Sequence, residues 1–141
     1  MGEYEDRADI VAITHDYCWA LDRNEWHELD DVFLPDATAQ LGSHVCEDRE
    51  QIKQTCSNAL TKLDDSQHIV ATHQIRIDGD NATSRCYLHA QHIRHDAEGG
   101  PNYIVAGRYE DDFVRTRDGW RIKNRMLTVM WTEGNHRAIR P

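Results

Sequence analysis

Two stretches of this sequence hold side chains suited to moving a proton. Residues 10–22 (IVAITHDYCWALD) end in a carboxylate, Asp22, and residues 66–71 (SQHIVA) carry an imidazole, His68. A neutral imidazole near pH 7 can take a proton from carbon, and a carboxylate beside it fixes its tautomer and stabilises the resulting imidazolium. If the two stretches converge in a closed pocket, the chain holds a general acid/base pair, and proton-transfer chemistry then needs no cofactor. His73 competes with His68 for the inward place. Strand parity groups His73 with Ile75 and Ile77, and a bulge between the two histidines would bring His68 to the same face.

Other polar residues are weaker candidates. His89, His92 and His95 suggest a metal, but positions three apart on a strand point to opposite faces, so an exposed polar strand edge is the expectation. His15 and His27 are expected at the surface. Tyr109 and Asp111 share parity with Val105 and Phe113 and so can line a pocket, where a tyrosine hydroxyl could donate to a developing oxyanion. Arg125 can hold a substrate carbonyl or carboxylate, or pair with an acid on the outer sheet. The glycines of DGDN and EGGPN read as hairpin turns, which leaves no phosphate-binding loop. Trp26, Trp120, Met126, Met130 and Trp131 read as core or interface.

The elements that position these residues follow from periodicity. Ile10, Ile13, Tyr17 and Leu21 form one helical stripe, with Asp22 about 100° away at its border and Cys18 one turn behind it. Asn24 is the expected N-cap of a second helix with Trp26, Leu29, Val32 and Phe33 on its apolar face, stopped by Pro35. Residues 37–41 read as a short strand and 42–46 as a loop. Asp48, with Gln51 three residues on, starts a third helix that buries Ile52, Cys56, Leu60 and Leu63. The period then changes to two. Strands are expected over residues 68–77, 82–94, 103–116 and 120–131, with a frayed tail after Glu133. Helices followed by an antiparallel meander make an α+β pattern. On the second long strand Ala82, Ser84, Cys86, Leu88 and Ala90 share the inward parity. Small side chains there leave volume on a curved sheet.

Bulk properties narrow the function. The 141 residues suit one domain. A formal charge of -9 argues against nucleic acid and against an anionic membrane surface. The acidic start MGEYEDRAD lacks the order of a signal peptide, and no apolar run approaches a membrane span. Cys18, Cys46, Cys56 and Cys86 lie far apart, as reduced thiols in a cytoplasmic protein would.

The order of motifs resembles a known family. A helix ending in Tyr17-x-x-x-x-Asp22, then DVFLPDATAQLG, QHIV, IDGDNATSRCYL and GRYEDDFVRTRDGWRIKNR is similar to the SnoaL-like proteins of the NTF2-like superfamily over roughly residues 8–131. The resemblance implies one domain over 1–141, a cone-shaped α+β barrel with three helices on a strongly curved antiparallel sheet around a deep pocket. Relatives include polyketide cyclases, scytalone-dehydratase-like enzymes, a lindane dehydrochlorinase, steroid isomerases and non-catalytic subunits. Asp22 and His68 occupy the positions of the paired Asp and His of the dehydratase and dehydrochlorinase branches, and Arg125 that of a pocket arginine. The second pocket histidine of scytalone dehydratase has no match in GRYED, which offers Tyr109 or Asp111 instead.

The expectation is therefore a lyase or isomerase without cofactor or metal, acting on a small hydrophobic carbonyl-containing or polyketide-like molecule. Asp22 and His68 would be catalytic, with Tyr17, Cys86, Leu88, Tyr109, Asp111 and Arg125 around the substrate. A homodimer or homotrimer through the sheet face is expected. The alternatives are a non-catalytic binding or assembly domain, and an epoxide-hydrolase-like member using an Asp–Arg–Asp set built on Asp22 and Arg125.

Overall fold

A computed structural model describes residues 2–140. Helix α1 (Glu3–Asp22) opens the chain, followed by a 3₁₀ turn (Trp26–Asp31), strands β1 (Phe33–Leu41) and β2 (His44–Cys46), and helix α2 (Arg49–Leu60). Four long strands complete the fold: β3 (Asp65–Asp78), β4 (Asn81–Ile93), β5 (Asn102–Thr116) and β6 (Gly119–Gly134). The six strands form one unclosed sheet in the order β2-β1-β6-β5-β4-β3. The helices cover one face of this sheet in an α+β arrangement. The sheet is antiparallel except for one pair: β1 runs parallel to β6, with Ala39 opposite Arg125.

α1 starts earlier than its apolar stripe predicts, because Asp6 is a buried anchor. Its carboxylate accepts from Arg115 Nη1 and Nη2 (2.7 and 2.9 Å) and from Trp120 Nε1 (3.1 Å). The Arg115 pairing holds Asp6 down at about 2. One end of α1 is thus tied to the hairpin joining β5 and β6. Farther along, Ile10, Thr14, Tyr17 and Leu21 sink into the sheet.

The end of α1 corrects the expected second helix. Asn24 is not an N-cap. It adopts a left-handed backbone (φ 55), and the Asn24 and Glu25 amides donate back to Leu21 O and Ala20 O. That is a Schellman closure of α1, a role in which Asn substitutes for Gly. The next segment is only a 3₁₀ turn, and Pro35 lies inside β1, at an irregularity between Phe33 and Thr38, rather than after a helix. The expected loop 42–46 contains β2, which folds back on β1 across Gly42. α2 begins as read: Asp48 Oδ1 accepts from Gln51 N, and Gln51 Oε1 accepts from Glu47 N, each at 2.8 Å.

Alternation decides the inner face. β4 buries Ala82, Ser84, Cys86, Leu88, Ala90 and His92 while the residues between them stay outside. The C-terminal tail is not frayed. Asn135 bridges it to the β4–β5 turn, and Ala138, in a short 3₁₀ turn (His136–Ala138), is fully buried.

Candidate active site

Asp22 is the last residue of α1, and β3 brings His68 to it. His68 Nδ1 lies 2.6 Å from Asp22 Oδ1. The same carboxylate accepts from Ser66 Oγ and from the His68 backbone N–H, both at 2.9 Å. Carboxylate oxygens accept, so in the neutral ring the proton sits on Nδ1 and the lone pair on Nε2. Three donors on one carboxylate fix both its rotamer and the ring it orients. An acid at a helix C-terminus faces the negative end of the macrodipole, so α1 gains no local stability from Asp22.

The parity conflict between His68 and His73 is resolved by a bulge. β3 and β4 pair in register up to Ala71 opposite Tyr87, and again from Gln74 opposite Arg85, with Thr72 at φ 63 between them. His68, opposite Ala90, and Ile75, opposite Ser84, therefore share the inner face. His73 turns to α1. Thr14 Oγ1 donates to Val11 O (2.7 Å) and accepts from His73 Nε2 (2.9 Å). His15 packs edge-on to His73 at 6.0 Å, and burial followed by the His15 charge lowers the His73 pKa.

A second imidazole reaches Asp22–His68 from β4. His92 is buried, its ring stands edge-on to His68 at 5.8 Å, and its Nδ1 donates to Tyr103 O (3.1 Å). Burial, and after it the nearness of His68, pushes His92 down to about 4. Spacing to His89 and His95 predicts a polar strand edge for His92, and the structure buries it instead. Its parity with Ala82, Ser84, Cys86, Leu88 and Ala90 was the signal for the inner face. His89, of the opposite parity, packs on Trp131 on the outer face. Among the described residues no cluster of three or more His, Cys, Asp or Glu is arranged to hold a metal.

The remaining predicted site residues are packed into the core. Arg125 is completely buried and binds Asp111 through two bonds, Nε to Oδ1 at 2.7 Å and Nη2 to Oδ2 at 2.8 Å. Its guanidinium lies between the rings of Tyr17 (4.3 Å) and Tyr109 (3.8 Å). Burial pulls the Arg125 pKa down, but the Asp111 charge and bonds, with the two tyrosines, outweigh it and hold it raised, while burial raises those of Tyr17 and Tyr109. Cys86 and Leu88 belong to the same core. Burial pushes Cys18 up to about 12 and Cys86 up to about 11, so neither is a thiolate near neutrality. Among the described residues no ion pair joins Asp22 to Arg125, so the two halves of an Asp–Arg–Asp set stand apart.

A hollow of about 490 Å³ opens beside Asp22 and His68, walled by Cys18, Trp19, Arg23, Ser66, Gln91 and Ile93 among others. None of Tyr17, Cys86, Leu88, Tyr109, Asp111 or Arg125 lines it. A hollow of about 430 Å³ on the outer sheet face has arginines and acids on its wall but no imidazole.

The model of the SnoaL-like domain matches residues 2–126. The chain belongs to the SnoaL-like family. This SnoaL-like chain is 34% identical over 131 residues to an uncharacterized protein of Mycobacterium tuberculosis, covering 91% of this chain and 88% of that protein. Among solved structures, a Kribbella flavida protein superposes with a TM-score of 0.88 at 25% identity, over 97% of this chain and 99% of that one. A candidate scytalone dehydratase from Novosphingobium aromaticivorans gives 0.85 at 25% identity, over 94% and 89%. A hexachlorocyclohexane dehydrochlorinase gives 0.83 at 15% identity, over 94% and 90%, a likeness of fold. Among the described residues of the SnoaL-like chain, no helix is long and apolar enough to cross a membrane.

Proposed function

We propose that this protein is a cofactor-independent lyase or isomerase of the dehydratase or cyclase type, acting on a small, mostly apolar carbonyl compound. The observation that carries this reading is the 2.6 Å contact of His68 Nδ1 with Asp22, which leaves Nε2 as an oriented base. In a dehydration His68 Nε2 takes the proton α to the carbonyl. The C–H electron pair becomes the new C=C bond, the β C–O bond breaks, and the imidazolium returns its proton to the departing oxygen, releasing water. Asp22 holds the imidazolium throughout, and His92 stands edge-on to the His68 ring. Such a pair contributes about 10²–10⁴-fold in rate. Its likeness to a candidate scytalone dehydratase supports the class of reaction, and its four free, buried cysteines suit a reducing cytoplasm.

The test is a screen of hydroxy-ketones and polyketide-like compounds for loss of water or ring closure, followed by Asp22→Asn and His68→Ala. Turnover should fall by about 10²-fold or more in each, with the thermal midpoint little changed. Full activity in both variants rejects the reading. A second reading, a non-catalytic binding or assembly domain, is favoured by the filled interior behind the dyad, where Tyr17, Tyr109 and Arg125 are at most 2% exposed. Saturable binding of a screened compound without conversion, unchanged in Asp22→Asn, selects it.

A further inference from the structure

We infer that residues 134–139 form a strap that positions His92, and through it the Asp22–His68 site, with Gly134, Asn135 and His136 as its positioning residues. The inference rests on the reading of that site given above. Asn135 accepts at its carbonyl from Ala138 N (3.0 Å) and makes four further bonds. Its backbone N–H donates to Asn102 O (2.6 Å), its side-chain Nδ2 donates to Glu98 O (2.9 Å) and Gly100 O (2.7 Å), and its Oδ1 accepts from Arg137 N (3.2 Å). Gly134 makes the approach possible. Its φ is +97, and a Cβ there would stand 2.4 Å from Asn102 O, closer than any side chain tolerates.

The peptide so clamped leads directly to Tyr103, whose carbonyl receives the His92 Nδ1 proton. The Tyr103 ring lies 5.3 Å from His136 on the strap and 5.9 Å from His92, in a small apolar cluster with Ala97 and Ala138 that stands apart from the main core. The strap lies beyond the 2–126 span of the family match, so the shared family pattern does not account for it.

A carbonyl can only accept, so the Tyr103 bond holds His92 as the Nδ1–H tautomer, with its Nε2 lone pair available. The titratable groups facing His92 are His68 on β3, Asp22 on α1 and Tyr103 on β5. Releasing the strap frees Tyr103, admits water to His92 and lets it protonate nearer neutrality. A second cation beside His68 then opposes the proton uptake expected of that ring.

The experiment follows the imidazole NMR signals of His92 and His68 against pH in the full-length protein and in Asn135→Ala, His136→Ala and His136→Phe. In Asn135→Ala and His136→Ala the His92 midpoint should rise from about 4 toward 6.5, with loss of the single Nδ1–H tautomer. His136→Phe, which keeps a ring against Tyr103, should titrate as the parent. His136 is exposed, so its variants keep the measurement available even if Asn135→Ala fails to fold. An unchanged His92 midpoint and tautomer in His136→Ala would overturn the strap, whether or not amide protection over residues 134–139 is kept. The readout needs no substrate, so loss of the proposed reaction and loss of the strap are separate outcomes.

Discussion

Arg125 holds a full charge without contact with solvent, which is costly unless every feature of its surroundings answers it. Asp111 answers with two bonds and the Tyr17 and Tyr109 faces with cation–π contact, yet Nη1 has no partner. Breaking such a pair from one side leaves a buried unpaired ion, a loss of about 3–5 kcal/mol, whereas replacing both partners by apolar residues is often neutral. Urea denaturation of Arg125→Met should therefore show a loss of that size, and Arg125→Met with Asp111→Leu should recover most of it. If the single and double variants lose the same stability, the pair is not what holds this part of the core. The family resemblance implies a pocket arginine at Arg125, whereas the structure buries it against Asp111. Its engagement with Asp111, fourteen residues earlier, depended on β5–β6 register.

Thr72 shows what one position does to a whole element. Without the bulge, an unbroken period of two would turn His68 and His73 to opposite faces, and only one could reach the helices. A β-branched residue in the left-handed region is strained by about 1–2 kcal/mol. Thr72→Gly keeps the bulge and removes the strain, so its thermal midpoint should rise, by roughly 2–6 °C. A fall would mean that the Thr72 side chain contributes more than its backbone costs. The same reasoning explains the ends of α1. The apolar stripe marked its middle, but its start depends on Asp6 meeting Arg115, and its closure on Asn24 turning left-handed.

At the scale of the molecule, the outer sheet face is the part left unexplained by the fold. Tyr87, Met126 and Trp131 stand there, each more than 40% exposed, among arginines and acids. Exposed aromatic and apolar side chains set among charges are a feature of surfaces that bind a partner. The proposed occupant is another copy of this chain. Trp131→Glu should shift sedimentation toward the monomer without a change in circular dichroism. A parent protein that is monomeric at high concentration would remove that proposal.

The α+β class, the capped start of α2, the four long strands and the inward set Ala82, Ser84, Cys86, Leu88 and Ala90 were legible in the sequence, because capping and alternation are local properties read over a few residues. The pairing of Asp22 with His68 rested on likeness to a family rather than on spacing, since forty-six residues separate them. The parallel β1–β6 pair, the Thr72 bulge, the burial of His92 and the docking of residues 134–139 all depended on which backbone groups meet across the fold. Those encounters join residues far apart in the chain, and local preference carries no record of them; only the assembled sheet and the helices against it decide them.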